Sequence, residues 1–412
     1  MMRPPATRHL DDPAAGAAQF MIRLGLVVLA IGVPLAAVWS RRFPITLMPV
    51  GAAIIMAGAL LAPDRRLLRP LQNGLLTPVG AAALVLVVWA GLSVVWSPLS
   101  AAAGERYFKT VATLALAALA ITVLPPRVRT SNLYLFPLGV GAAAIGAIAT
   151  AIITGDWFSL SHDYEMVSLD RAALSIAALA WPAIGALAVR ERWISSAAVA
   201  FAALAAVAVI GSDLALMGIA GGAIVFALAW LRPRATAVTL AVIVGLLILA
   251  APAIAIALHR LAPFTGDLSQ LSDAAAAWTG VIEQNPLRAL TGHGFDAAAR
   301  GFVTRYLPAD APRGAIFATW FDLGVIGALA SAVLVVRAVL AAANLPAPMG
   351  AFMVAGFATI VVIAVAGAVA LQMWWLNFLC VVALGYAVMM RGQYRTSRPP
   401  LNGVRDEKRP TV

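Results

Sequence analysis

Residues 236–258 read TAVTLAVIVGLLILAAPAIAIAL and contain no charged side chain. About 20 helical residues cross a hydrocarbon core of about 30 Å, so this stretch is long enough to span a bilayer. Comparable apolar runs recur between residues 20 and 390. Of the 412 residues, 62% are hydrophobic and 11% are charged, which is far from the composition of soluble domains. The composition therefore excludes a water-soluble enzyme and predicts an integral membrane protein.

The charged, proline-rich and glycine-rich interruptions divide the chain into about twelve predicted spans. They lie at about 22–40, 45–62, 76–96, 108–124, 133–154, 170–189, 193–211, 214–231, 236–258, 315–341, 349–368 and 370–390. The predicted fold is all-α, a polytopic membrane protein with one long structured outer loop. Its segments are an N-terminal part (1–21), spans one to nine (22–258), the loop (259–314), spans ten to twelve (315–390) and a basic tail (391–412).

The distribution of positive charge predicts the orientation, because arginine and lysine are enriched in cytoplasmic loops. One side receives both termini and most short basic connections, including Arg65, Arg127, Arg129, Arg190, Arg192, Arg232 and Arg234. Both termini are therefore predicted to be cytoplasmic and the 259–314 loop periplasmic. Arg41, Arg42, Arg106 and Lys109 lie on the opposite side and count against this orientation.

The net charge of +11 is spread in short clusters between apolar runs. A nucleic-acid-binding protein needs its basic residues on one solvated face, so we predict no nucleic-acid partner. Cys380 is the single cysteine, which excludes an internal disulfide and a cysteine-ligated metal site. His162, Asp163 and Glu165 have a spacing that fits no common metal site, and no metal is predicted.

The 259–314 loop contains five arginines, five acids and no lysine. Helical spacing of its apolar residues predicts an amphipathic helix in the membrane interface. These residues are Leu268, Leu271, Ala275, Trp278 and Ile282. Gly292-His293-Gly294 is expected to form a flexible turn, and Asp296 to cap a second short helix that carries Arg300.

Arginine presents a planar fork of donors that matches phosphate oxygens. A lipid-linked pyrophosphate is therefore one candidate ligand of these arginines, and pairing with the neighbouring acids is the alternative. Arg171 opens the sixth span against the charge bias, so it is either functional, or a snorkelling anchor, or paired with Asp170 or Glu165. Asp322 lies about eight residues into the tenth span, and we favour an interior structural pair over catalysis. The candidates for binding the pyrophosphate are Arg171, Arg260, Arg288, Arg300 and Arg313.

Several short motifs occur in a fixed order along the chain. They are Trp96-Ser97-Pro98, Asp170-Arg171-Ala172 leading to Trp181-Pro182, Gly211-Ser212-Asp213, Pro286-Leu287 to Gly292-His293-Gly294-Phe295-Asp296, and Trp320-Phe321-Asp322-Leu323-Gly324-Val325-Ile326-Gly327. In this order, topology and loop position, the chain resembles the O-antigen ligase and polymerase family of bacterial inner-membrane proteins over about residues 80–390.

The resemblance implies an inverting, metal-independent glycosyl transfer at the periplasmic face of the bacterial inner membrane. The donor would be an undecaprenyl-diphosphate-linked glycan, the acceptor a lipid A core or a growing glycan, and no cofactor would be needed. Arg171 matches the family's arginine at the start of the middle span, which would hold the donor pyrophosphate as charge develops on the leaving group.

Two family features are absent. The His-Pro-His-Asn run that precedes the acidic span falls on Ala311-Pro312-Arg313-Gly314, so the usual histidine base is missing. The second loop arginine falls near Leu271 and Ala275. Arg260, Arg288 or Arg313 are the candidate replacements for the arginine, and His293 or Asp310 for the base.

Two other interpretations remain open. A catalytically silent relative would keep the fold and lose the base, as the sequence at Arg313 and Gly314 does. A transporter would have inverted repeats, broken helices near the middle of the bilayer and polar residues in several spans.

Overall fold

The computed structural model describes residues 13–40, 42–61, 68–155, 166–261, 269–308, 311–367 and 372–392. Within these ranges the chain is helical and has no β-strand. Twelve helical segments in the described part are long and apolar enough to cross a membrane. The predicted all-α, multi-pass membrane fold with about twelve spans is confirmed.

The helices follow one another with short connections. In the first half they are α1 (Pro13–Val27), continued by a π-helical segment (Val28–Gly32) into α2 (Val33–Trp39), α3 (Phe43–Leu61), α4 (Leu68–Leu75), α5 (Pro78–Ser93), α6 (Ser100–Val123), α7 (Leu135–Thr154) and α8 (Met166–Ala188). In the second half they are α9 (Trp193–Ile210), α10 (Asp213–Leu231), α11 (Pro233–Leu261), α12 (Ser269–Gln284), α13 (Arg288–Thr291), α14 (Ala297–Val303), α15 (Ala315–Ala343), α16 (Met349–Ala366) and α17 (Met373–Arg391).

Two predicted boundaries differ from the structure. The fourth span begins at Ser100, not near 108, so Arg106 and Lys109 lie inside a helix. The first span begins near Ala14, not 22. In both cases the helix extends beyond its apolar residues into a polar stretch, because its backbone hydrogen bonds do not depend on apolar side chains. Hydropathy detects only the apolar residues, so it places the start of the helix too late.

Helix α8 lies at the centre of the bundle, and nearly all of its residues from Leu169 to Ala188 are buried. Its many alanines allow close approach of the neighbouring helices α7, α9, α16 and α17. Trp181 of α8 donates from Nε1 to Thr359 Oγ1 at 2.7 Å. Thr359 in turn donates to the carbonyl of Gly218 at 2.9 Å, which ties α8, α16 and α10 together.

The two ends of the bundle can be distinguished by contacts. Val128 forms an isolated bridge with Gly392, and Gly16 lines one cavity with Arg127. The start of α1, the α6–α7 connection and the end of α17 therefore lie together, at what we call the termini face. Helices α12–α14 belong to the opposite end, the loop face. Which face is cytoplasmic stays a prediction from charge.

Candidate functional site

Helix α15 is broken at Gly324, whose φ of 63° and ψ of −158° are not helical. Three carbonyls beside the break accept hydrogen bonds from outside the helix. His293 N donates to Phe321 O at 2.7 Å and Gly294 N to Asp322 O at 3.0 Å. Trp89 Nε1 of α5 donates to Leu323 O at 2.8 Å. The carbonyl groups at the break therefore receive hydrogen bonds from the loop and from α5, as buried backbone groups require.

The Gly292-His293-Gly294 turn is packed tightly against the bundle. Gly292 and Gly294 have φ of 74° and 105°. A Cβ on Gly292 would lie 2.2 Å from Asp322 O, and one on Gly294 would lie 2.5 Å from Ser97 Cα. The expected flexible turn is therefore wrong, because these glycines permit close backbone packing rather than motion.

Asp322 and Asp296 exchange the roles expected from the sequence. Asp322 accepts from the backbone N–H of Ala298 at 2.6 Å and of Asp296 at 3.2 Å, so it caps α14 from another helix. Asp296 occupies the N-cap position but makes no capping bond. Its buried carboxylate instead pairs with Arg106 at 2.5 Å and Arg300 at 2.8 Å. The expected Asp296 cap is therefore wrong, and Asp322 serves a structural role through backbone amides.

The end of α5 and the residues that follow it also form hydrogen bonds with the loop. Ser93 Oγ accepts from Phe295 N at 3.0 Å, and Ser97 Oγ donates to Phe295 O at 3.0 Å. We call this assembly the loop junction: Trp89, Ser93, Ser97, Arg106, residues 292–298 and residues 320–324. Segments about 200 residues apart in sequence thus meet through the hydrogen bonds of a few backbone groups.

A cavity of about 230 Å³ lies beside the loop junction. Its polar lining comes from Arg106, Thr110, Asp296, Thr319, Asp322 and Gln372. Gln372 immediately precedes α17, so the cavity lies between α6, α14, α15 and the start of α17. We call it the junction cavity. Two carboxylates, a guanidinium already paired with Asp296, hydroxyl groups and an amide in one cavity suit an uncharged, polyhydroxylated ligand.

His293 points into a second cavity, of about 250 Å³, whose walls are mainly apolar and include Trp278, Trp320 and Ile256. Its ring stacks on Phe321 with centroids 4.1 Å apart. Nδ1 lies 3.2 Å from Phe321 O, and because a carbonyl only accepts, this contact assigns the proton to Nδ1 and leaves Nε2 as an acceptor. We call this the histidine cavity.

Burial lowers the pKa of His293 below its usual 6.5. The hydrogen bond to Phe321 opposes this shift, and the charge of Arg288 adds to it. Arg288 also lines the histidine cavity and donates weakly to Gly292 O, at 3.4 Å. A neutral imidazole beside a cation can accept a proton, which is the property required of a general base.

The other predicted arginines do not gather around His293. Arg300 is paired with Asp296, and Arg313 lies 5.1 Å from the centroid of the Phe302 ring. Arg260 is exposed at the end of α11. Arg171 is partly buried near the loop-face end of α8, where the neighbouring Asp170 accepts a hydrogen bond from Ser212. The loop arginines are thus spread over the loop face, because Arg300 contacts an acid and Arg313 an aromatic ring, away from His293.

Asp310 and the His162, Asp163 and Glu165 set lie outside the described residues. Within the described ranges, no group of three or more histidine, cysteine, aspartate or glutamate side chains could hold a metal ion.

The sequence did not single out Arg106, Trp89 or Ser93 as site residues. Arg106 carried a usable signal, since a charged residue inside an apolar helix is a functional candidate by default. A fourth span that begins near 108, as hydropathy predicts, leaves Arg106 outside the helix, whereas the helix begins at Ser100. Trp89 and Ser93 look like ordinary span residues, and only the three-dimensional contact with the loop reveals their partners.

Comparison with protein-family models, curated proteins and solved structures found no match.

Proposed function

We propose that the protein transfers a glycan from an undecaprenyl-diphosphate-linked donor to an acceptor sugar at the periplasmic face of a bacterial inner membrane, in cell-surface polysaccharide biosynthesis. One observation carries this proposal. Three motifs on which the family resemblance rests, at Trp96-Ser97-Pro98, Gly292 to Asp296 and Trp320 to Gly327, meet at the loop junction. Two cavities with polar groups open beside it.

The reaction implied by the resemblance is a direct displacement. An acceptor hydroxyl oxygen bonds to the anomeric carbon of the donor sugar, and the bond from that carbon to the diphosphate oxygen breaks. The hydroxyl proton passes to a base, and undecaprenyl diphosphate leaves with the bonding electron pair. The protein must supply a base, cations for the diphosphate and an apolar surface for the lipid.

His293 is the base in this proposal. Its Nε2 has an available lone pair, and its lowered pKa keeps the ring neutral near neutral pH. The apolar walls of the histidine cavity suit the lipid side of an amphiphilic donor. Arg288 lies in the same cavity and is the nearest described candidate for a diphosphate contact.

Arg171 retains the pyrophosphate role that the resemblance implies, and Arg260 and Arg313 remain secondary candidates. Arg300 does not serve the diphosphate in this proposal, because Asp296 already neutralises its charge. We therefore assign Arg300 and Arg106 to holding the loop in place.

A transporter is the second candidate, because a broken membrane helix such as α15 is typical of transporters. Transporters leave unwound carbonyls free to coordinate an ion. Here the carbonyls of Phe321, Asp322 and Leu323 all accept hydrogen bonds from protein donors, which favours the transferase. A silent relative would keep this fold and bind lipid-linked glycan, but would lack a working base and therefore turnover.

The test is the profile of lipid-linked glycans and surface polysaccharides in a deletion strain complemented with the wild type or with variants. The transferase predicts that lipid-linked glycan accumulates in the deletion and is consumed again only with an active protein. His293→Ala should lose activity by about 100-fold or more, as expected for a general base. Arg171→Lys should also fail, because lysine keeps the charge but loses the two-pronged donor geometry.

The matched control is Arg234→Gln, an exposed arginine just past the α10–α11 connection at the termini face, which should complement fully. An unchanged profile in the deletion strain would contradict the transferase. Full activity of His293→Ala would remove His293 as the base.

A further inference from the structure

The termini face carries a cavity of about 340 Å³ that plays no part in the proposed function. It lies between the start of α1 and the connection from α6 to α7. Its lining includes three arginines, Arg23, Arg127 and Arg129, together with Gln19, Phe20 and Asn132. We call it the termini-face cavity.

The arginines converge because of the backbone around Val128. Val128 N donates to Arg391 O at 2.7 Å, and its buried side chain faces the bundle. Arg127 and Arg129 flank Val128, and both line the cavity. Arg391 Nη1 donates to Ile121 O and Leu124 O, each at 2.7 Å, which fixes the connection against α6.

The positive charge of the cavity is not neutralised by the described part of the chain. The three arginines make no ion pair there, and the cavity lining contains no acid. Such a cluster favours an anion, and guanidinium groups match phosphate oxygens in geometry.

Asn132 adds a second, independent indication of a ligand. The residue is only 7% exposed, and its Oδ1 has no hydrogen-bond donor among the described residues. A buried acceptor without a donor is costly, typically about 1 to 3 kcal/mol. A ligand that carries a hydroxyl as well as a phosphate would supply the missing donor.

The position of the cavity favours a lipid over a free phosphate. The first span has 26 residues, about 39 Å of helix, which exceeds a hydrocarbon core of about 30 Å. If this span is centred on the core, about 4 Å of helix extends beyond each boundary and Arg23, nine residues from Ala14, lies about two turns inside the nearer one. Its long side chain can then reach the headgroups. Phe20, on the same wall, is 66% exposed and offers an apolar surface to an acyl chain.

We propose that the termini-face cavity binds the headgroup of an anionic phospholipid with a hydroxyl group, such as phosphatidylglycerol. The phosphate lies against Arg23, Arg127 and Arg129, and a headgroup hydroxyl donates to Asn132. This site is independent of the proposed function, since it lies at the opposite end of the bundle.

The test is thermal unfolding of the full chain in detergent, titrated with phosphatidylglycerol, with phosphatidylcholine or with glycerol 3-phosphate. Phosphatidylglycerol should raise the wild-type unfolding temperature, and the other two should not. The variant Arg127→Gln/Arg129→Gln should need about 30-fold more phosphatidylglycerol for the same rise, from the loss of two surface arginines.

The matched control is Arg232→Gln/Arg234→Gln, which removes the same charge from exposed positions around another connection of the same face. It should respond as the wild type does. Both double variants should unfold at the wild-type temperature without lipid, because all four side chains are exposed. A wild type that does not respond would overturn the proposal, and so would an unchanged response of Arg127→Gln/Arg129→Gln. An equal effect of glycerol 3-phosphate would identify a free-phosphate site and overturn the lipid site.

Discussion

Asp296 links the loop to α6 and to α14 through two ion pairs. Its side chain is 1% exposed and pairs with Arg106 and Arg300, whose side chains are 23% and 38% exposed. In Asp296→Asn one oxygen can still accept from one arginine, but the amide nitrogen faces the donors of the other. We expect a loss of about 2 to 4 kcal/mol in unfolding free energy, below the full cost for a deeply buried pair because the arginines keep some water.

The matched control is Glu105→Gln, which breaks the neighbouring contact of Glu105 with Lys109. Those side chains are 68% and 61% exposed, so water screens the pair and the loss should be far smaller than that of Asp296→Asn. Both variants are compared by denaturant or thermal unfolding in the same detergent. Equal losses in the two variants would contradict a structural role for the Asp296 pairs.

His293 should make stability depend on pH in a definite direction. Burial lowers its pKa in the folded state below the usual 6.5, so the unfolded chain takes up a proton at a higher pH than the folded chain. The unfolding free energy is therefore independent of His293 above about pH 7, and falls as the pH drops below about 6.5 towards the folded pKa.

His293→Gln should reduce the difference in unfolding temperature between pH 7.5 and pH 5.5. An identical difference in wild type and variant would show that the ring is not held neutral.

In the transfer reaction the same group should keep activity constant from pH 8 to about pH 6.5 and lower it below that range, because the protonated ring cannot accept the acceptor's proton.

At the scale of elements, the break in α15 and the turn from Gly292 to Gly294 form one unit. Gly324 has a positive φ, and a Cβ there would lie 2.4 Å from Leu290 O. Gly324→Ala should therefore lower the unfolding free energy by about 1 to 3 kcal/mol through backbone strain. The steric clash with Leu290 should lower it further. It should also expose the 288–303 segment to added protease.

Gly141→Ala is the control, because Gly141 is helical and a Cβ there meets no atom within 4 Å. This change should be neutral or slightly stabilising, since alanine favours helix over glycine. Unfolding temperature and cleavage of the 288–303 segment check both variants. A Gly324→Ala protein as stable and as protease-resistant as Gly141→Ala would contradict the packed turn.

The sequence predicts these elements unevenly, for physical reasons. Twelve spans follow from hydropathy because a bilayer requires about 20 apolar residues for each crossing. Helix α12, around Trp278, follows from the helical spacing of its apolar residues. The loop junction could not be predicted from its glycines. Gly292 and Gly324 indicate only that the backbone can adopt unusual dihedral angles, and such angles occur both in mobile turns and in close backbone contacts. The exchange of roles between Asp296 and Asp322 depends on a contact between segments distant in sequence.

For the whole molecule, the charge distribution predicts that the loop face is periplasmic. Cys380 is buried, so a Cys380→Ala background allows single cysteines to report topology. Glu283→Cys on α12 and Arg192→Cys at the termini face replace exposed residues. A membrane-impermeant maleimide should label Glu283→Cys in intact spheroplasts, and Arg192→Cys only after permeabilisation. The reverse pattern would contradict the orientation and place the proposed transfer on the wrong side.

Glycan transfer is the central claim, and release of undecaprenyl diphosphate measures it most directly. Lipid-linked glycan extracted from the deletion strain would be mixed with acceptor and purified protein in proteoliposomes. We predict release in proportion to glycan transferred, with wild-type protein and with Arg234→Gln, and its loss in Arg171→Lys and His293→Ala. No release by folded wild-type protein, with a donor and an acceptor known to be joined in the cell, would contradict the claim.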